Sequence, residues 1–296
     1  MSRRPHNLRM NRSNWLAMGA IVLWASLATL GVKLAHLPPF WLTGVALLMG
    51  SVIALPLSRL DLRQWRVPPV TLLLGVYGLF GYHFLLFMAL RHAPPVQANL
   101  INYLWPLGMV VMAPLFLPGL GLSTRHLLAA LLGFAGAAWV ILGAPSANTE
   151  GLADGWTGYL LALGAALAWS SYSLLTQRVA PFPTSAIGLF ALVSGILSLL
   201  CHAALEAPVT MTVHDWALLT LMGVGPLGAA FFLWDAALKR GDPRQIGVLS
   251  FLTPLLSTVM LLAMRGEPPS WHLAGATVLI VGAAFLGRTS GQRSDV

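Results

Sequence analysis

The chain alternates long apolar runs with short connections that hold nearly all of its charge and its proline pairs. Ten runs can be placed, at approximate limits of residues 14–36, 40–58, 68–91, 94–117, 126–144, 156–179, 183–203, 214–238, 243–264 and 271–287. Each is about as long as a helix must be to cross roughly 30 Å of hydrocarbon at about 1.5 Å per residue. Between them stand Pro38-Pro39, Pro68-Pro69, Pro94-Pro95, Pro181-Phe182-Pro183, Asp242-Pro243 and Pro268-Pro269, where the missing amide proton of proline costs little. The pattern predicts an all-α membrane protein with ten transmembrane helices.

Composition agrees with that reading. Hydrophobic residues make up 57% of the 296 and charged residues 9%, and the mean hydropathy of +0.77 lies well outside the range of soluble domains. The net charge of +8 does not describe a nucleic-acid binder, because the basic residues sit between apolar runs instead of gathering on one surface. Alternate connections place 14 of the 17 Lys and Arg on one side and only Lys33, Arg91 and Arg265 on the other. Cytoplasmic loops carry such an excess, so both termini are expected in the cytoplasm. The start, with Arg3, Arg4, Arg9 and Arg12 ahead of an apolar run from Trp15, resembles a signal peptide but reaches about Ala35 without a convincing cleavage site. It reads as an uncleaved first span. Cys201 stands alone, which excludes an intramolecular disulfide; with no metal-ligand spacing around it, neither a metal nor a cofactor is implied.

One run is polar and aromatic in its middle, reading Asn99-Leu-Ile-Asn-Tyr-Leu-Trp-Pro106. Pro106 cannot donate to the carbonyl of Asn102, so a bent helix with that carbonyl exposed is expected. Asn99, Asn102 and Pro106 follow i, i+3, i+7 spacing and share a face. The device returns 148 residues later in Ser250-Phe251-Leu252-Thr253-Pro254, where Pro254 is expected to free the carbonyl of Ser250.

These are parts of a longer repeat. At an offset of 145, Leu16-Ala-Met-Gly-Ala20 meets Leu161-Ala-Leu-Gly-Ala165, Trp24 meets Trp169, Ser26 meets Ser171 and Lys33 meets Arg178. At 148, Arg91 meets Lys239, Gln97 meets Gln245, Tyr103-Leu104 meets Phe251-Leu252 and Pro106 meets Pro254; at 146, Gly136-Ala-Ala-Trp139 meets Gly282-Ala-Ala-Phe285. Near-equal offsets in chain order indicate five duplicated helices. The organisation expected is a basic cytoplasmic N-terminus (1–13), a first five-helix repeat (14–144), a periplasmic linker (145–155), a second repeat (156–287) and a cytoplasmic tail (288–296). Five being odd, the second copy enters from the opposite side. Inverted repeats of this kind (5+5) hold substrate at their interface near mid-membrane.

With ten spans, two repeats and two proline motifs, the chain resembles the drug/metabolite transporter superfamily, and within it the ten-helix EamA-type exporters. The resemblance rests on Val22-Leu23-Trp24, Asn102-Tyr103-Leu104-Trp105-Pro106, Trp169-Ser170-Ser171-Tyr172 and Ser250-Phe251-Leu252-Thr253-Pro254, and it covers nearly all of residues 14–287. It implies export of aromatic and other hydrophobic amino acids, or related metabolites, across a bacterial inner membrane. His83 departs from it, since the residue after Tyr82 is acidic in enterobacterial members.

Each candidate site residue also has a simpler structural role. Trp24, Tyr82, Tyr103, Trp105 and Trp169, with Tyr172 behind them, could line a cavity that stacks on an apolar side chain. Interfacial belts account better for Trp15, Trp41, Trp65, Trp156, Trp216 and Trp271 near span ends. Asn99, Asn102, Ser250 and Thr253 could replace the hydration of a zwitterion, or simply bond between helices. His83 could touch substrate, carry a proton or be a core histidine. Asp235 stands four residues before Lys239, which reads as an ion pair near a span end. Without a free mid-membrane carboxylate, facilitated diffusion is favoured over proton coupling, with Pro106 and Pro254 as hinges. The competing readings are a drug or small-metabolite exporter with proton coupling, a passive channel, and an intramembrane enzyme, for which no H-E-x-x-H or G-x-S-x-G is present. The partners expected are an aromatic amino acid and the bilayer, not nucleic acid. The oligomeric state is left open, a monomer included.

Overall fold

The computed structural model describes residues 12–142 and 156–287. Arg3, Arg4 and Arg9, the 145–155 linker and the tail from residue 288 lie outside the described residues. Among those described there are helices and no strands. Nine helices are long and apolar enough to cross a membrane: α1 (Arg12–Lys33), α2 (Pro39–Leu57), α3 (Pro69–His92), α4 (Pro95–Phe116), α5 (Thr124–Leu142), α6 (Trp156–Leu175), α7 (Thr184–Leu205), α8 (Val213–Leu238) and α9 (Pro243–Arg265). A shorter apolar helix, α10 (Trp271–Leu286), follows.

Sequence chemistry fixes where these helices start. Pro39, Pro69, Pro95 and Pro243 occupy first positions, where a preset φ helps and no amide donor is lost. Thr212 and Asp215 form a reciprocal capping box ahead of α8, and the side chains of Asp242 and Ser270 accept backbone amides at the starts of α9 and α10. Two helices are interrupted in a matched way. α3 opens into a π turn at Tyr77–Gly81 and α8 at Gly225–Ala229, 148 residues apart like the two proline motifs.

The packing is reciprocal. α1 lies against α8 and α9, and α6 against α3 and α4; α2 lies against α8, and α7 against α3. α2 with α7, α4 with α9 and α5 with α10 pair counterpart with counterpart. Exchanging helices one to five for six to ten leaves this contact pattern unchanged. Contacts between connections fall into two groups, at opposite ends of the helices. Ser185 Oγ donates to Gln64 at 2.8 Å, Gln177 Nε2 to the Leu238 carbonyl at 3.1 Å and Arg244 to the Gly121 carbonyl at one end. At the other, His36 meets Asp215 at 3.2 Å and the Trp139 and Trp271 rings lie 5.9 Å apart.

Glycines carry the closest approaches. Gly133 faces Phe251 and Gly136 faces Ile280, so the small-residue stripe of α5 is used within the chain. A Cβ on Gly78 would fall 2.2 Å from the Tyr172 ring, which is itself buried. We expect Gly78→Val to cost about 1–3 kcal/mol through overpacking. It should lower both the thermal midpoint in detergent and the yield of monodisperse protein; a parental melting curve would contradict that packing.

Candidate substrate site between the two halves

Rings from five helices meet at the centre. Trp24 of α1 lies 5.6 Å from Trp169, 6.4 Å from Trp105, 6.0 Å from Phe231 and 5.0 Å from Trp234, measured between centroids. Trp105 and Trp169 meet edge to face at 6.4 Å, and Trp169 also touches Tyr82 and Tyr172 at 5.3 Å each. Trp105, Trp169, Tyr172, Phe231 and Trp234 are buried, whereas Trp24 and Tyr82 remain half-buried. The sequence suggested rings lining a cavity; the structure packs them on one another. Two touching pairs, Trp24 with Trp169 and His83 with Phe231 at 6.3 Å, join residues that are counterparts in the repeat.

Polar groups flank this cluster. Asn102 is buried and donates from Nδ2 to the Tyr82 hydroxyl at 3.2 Å, while its Oδ1 and the Oγ1 of Thr253 are buried without a partner. The Asn102 oxygen is thereby left without a partner beside the ring cluster, at a desolvation cost that a ligand's ammonium or hydroxyl would remove. Asn99 and Tyr103 are half-buried, and Tyr103 stands outside the ring cluster. His83 donates Nδ1–H to the Leu79 carbonyl at 2.6 Å and lies against the rings of Tyr82 and Phe87. Ser250 is a correction. Its hydroxyl donates to the Ile246 carbonyl at 2.9 Å, and its own carbonyl accepts from the Thr253 amide at 3.0 Å, so neither is free as expected.

The helix breaks fall ahead of the prolines. α4 stops at Asn102 and resumes at Trp105, with the Leu104 amide donating to Ile101 at 3.0 Å; α9 stops at Leu249 and resumes at Leu252, with the Phe251 amide donating to Val248 at 3.3 Å. Proline removes the bond to residue i−4, and three-residue bonds in the preceding turn take up the slack. A Cβ on Gly247 would come within 3.0 Å of the Pro106 carbonyl, so α4 and α9 touch beside their breaks.

Sequence reasoning missed Phe231 and Trp234. Trp234 lies four residues from the end of α8, where tryptophan reads as belt, yet it is buried and donates to Ser173 Oγ at 3.2 Å. For Phe231 a signal existed, because the 148-residue offset pairs it with His83.

Each end of the molecule is tied by a basic residue. Arg91 binds Glu206 at 3.1 Å and lies over Phe40 at 5.6 Å; Glu206 also accepts the Phe40 and Trp41 amides and pairs with His202 at 2.9 Å. Its counterpart Lys239 binds Asp235 at 2.6 Å, as the spacing predicted, donates to the Phe182 carbonyl at 2.9 Å and lies 3.9 Å from that ring's centroid. The two acidic residues within the described helices are thus both engaged, Asp235 here and Asp215 in the α8 cap.

Comparison with known proteins gives consistent results. Residues 11–142 and 156–288 each match the EamA-like transporter family. The aromatic amino acid exporter YddG of Ancylobacter novellus is 40% identical over 289 residues, covering 96% of this chain and 100% of that protein. YddG of Escherichia coli K12 is 25% identical, covering 93% and 96%. A solved crystal structure superposes with a TM-score of 0.87 at 37% identity, covering 94% of this chain and 98% of the other.

Proposed function

The chain belongs to the EamA-like transporter family and is a multi-pass membrane protein, and from that premise we propose that it exports aromatic amino acids, and hydrophobic ones related to them, across a bacterial inner membrane. The observation that carries this reading is the central cluster of Trp24, Tyr82, Trp105, Trp169, Phe231 and Trp234, with the unpartnered oxygen of Asn102 at its edge. An aromatic side chain replaces ring–ring contacts with like contacts, while a zwitterionic head needs polar groups in place of lost water.

The reading includes a mechanism. The halves 14–144 and 156–287 form inverted five-helix repeats with both termini in the cytoplasm, a topology supported by the reciprocal packing and the same-side loop contacts. They rock about the ring cluster, with α4 and α9 flexing at Pro106 and Pro254. The Arg91–Glu206 and Lys239–Asp235 ties close the outer and inner ends and open in turn. Because Asp235 is held by Lys239 and His83 by Leu79, transport runs down the amino-acid gradient without proton exchange. The named relatives are transporters, and no catalytic role is assigned to any residue here.

Cells expressing the chain should tolerate several-fold more of a toxic phenylalanine analogue than cells carrying an empty vector. Equal sensitivity at confirmed expression would refute the proposed cargo.

A further inference from the structure

On the lipid-facing side of the molecule, α1, α8 and α9 part to leave a cleft of about 490 Å³, within the roughly 300–1,000 Å³ usual for small-ligand sites. Its walls are apolar, with Leu23, Leu218, Leu221, Pro226 and Met260 among them. Val22, Val32, Val224 and Val259 on the same three helices are exposed as well, as on surfaces that face hydrocarbon.

Three polar residues of α1 line it, Ser26, Thr29 and Lys33, the last two on one stripe. Lys33, at the helix end, is exposed; Thr29 stands one turn below it, with an Oγ1 that is buried and has no hydrogen-bond partner. Residues four apart on a helix lie one above the other, about 5–6 Å apart.

The equivalent place in the other half is filled by the protein itself. There Tyr77 of the α3 π turn sets its hydroxyl 2.9 Å from Ser171 Oγ on α6. The counterpart of Tyr77 is Gly225, which has no side chain, and the counterpart of Ser171 is Ser26, whose hydroxyl donates to its own Leu23 carbonyl at 2.7 Å. Both Gly225 and Ser26 line the cleft. One half carries a tyrosine at this place and the other a glycine, which leaves room for a guest.

We propose that this cleft binds one anionic glycerophospholipid. The acyl chain lies along Leu23, Gly225 and Pro226; the phosphate meets the Lys33 ammonium; an ester carbonyl accepts from the Thr29 hydroxyl one turn deeper. That spacing follows the order of a phospholipid, with phosphate at the interface, esters just below and hydrocarbon beneath. A basic side chain at the end of a spanning helix is placed at headgroup depth. The lipid would bridge the moving halves, since α1 belongs to one and α8 and α9 to the other.

Native mass spectrometry of the delipidated full chain, titrated with phosphatidylglycerol or with phosphatidylcholine of the same acyl chains, tests this without any transport step. The parent should retain one phosphatidylglycerol with roughly fivefold preference over phosphatidylcholine, as expected for one Lys–phosphate contact near a membrane surface. Lys33→Gln, at an exposed position, should erase the preference. Gly225→Tyr, which rebuilds the tyrosine of the other half, should remove retention of both lipids; Ala263→Phe narrows the same cleft should the first variant fail to fold. Equal retention of the two lipids by the parent overturns the proposal. Undiminished retention in a folded cleft-filling variant also overturns it, because it would mean that bound lipid is merely annular.

Discussion

Trp169→Ala should abolish most aromatic amino-acid export while leaving a folded, membrane-inserted protein. Trp169 is the hub of the site, in ring contact with Trp24, Tyr82, Trp105, Tyr172, Phe231 and Trp234. A bound aromatic side chain that met two such faces would gain about 0.5–1.5 kcal/mol from each. Losing the one that Trp169 supplies weakens the complex by about 0.5–1.5 kcal/mol, roughly twofold to tenfold in affinity. The same truncation leaves a void, and Trp→Ala in a packed interior commonly costs about 3–5 kcal/mol. Trp169→Phe separates the two effects, since it keeps an aromatic face. Export kinetics should rank the parent first, Trp169→Phe next and Trp169→Ala last, with melting midpoints recorded beside them. Parental export by a well-folded Trp169→Ala protein would contradict the assignment of this cluster as the site.

The second large effect falls at the Arg91–Glu206 end of the molecule. Glu206→Ala should lower the thermal midpoint sharply and disturb transport from a position far from the rings. The Glu206 side chain is 2% exposed and holds four groups: the Arg91 guanidinium, His202 and the amides of Phe40 and Trp41 at the start of α2. Removing one partner of a buried ion pair typically costs about 3–5 kcal/mol, because the other charge is left without compensation. Arg91→Ala should cost less, since Arg91 is 35% exposed and water can replace it in part. Glu206→Gln should fall between, keeping acceptor oxygen for an amide but no charge for Arg91 or His202. A Glu206→Ala melting curve equal to that of the parent would sink the view that this node closes the outer end.

Much of the architecture was legible because membrane helices obey few rules. Length and apolarity placed the helices to within a few residues, and first-position prolines at 39, 69, 95 and 243 marked starts directly. The offset of 148 that pairs Pro106 with Pro254 in the sequence also separates the two π turns. Those turns themselves were invisible: a π insertion leaves hydropathy unchanged and depends on what packs nearby, such as Tyr172 against Gly78.

In the site, residue type was a good guide and residue state was not. Trp24, Trp105 and Trp169 stood out because tryptophan deep in a span lacks an interfacial role, and the structure brings them together. Whether they enclose space or fill it depends on tertiary packing, which no local pattern encodes. Ser250 failed as a free polar group because a serine in a helix can satisfy its hydroxyl on its own preceding turn. Trp234 was not singled out, because its burial and its bond to Ser173 come from packing between α6 and α8 that no local pattern encodes.

The central claim is tested most directly by proteoliposomes preloaded with labelled phenylalanine, tryptophan, leucine or choline, with efflux followed with and without a pH gradient. The account predicts saturable efflux of phenylalanine and tryptophan, slower efflux of leucine, none of choline, and rates unaffected by the gradient. Choline efflux, or amino-acid efflux that begins only when protons flow, would contradict it.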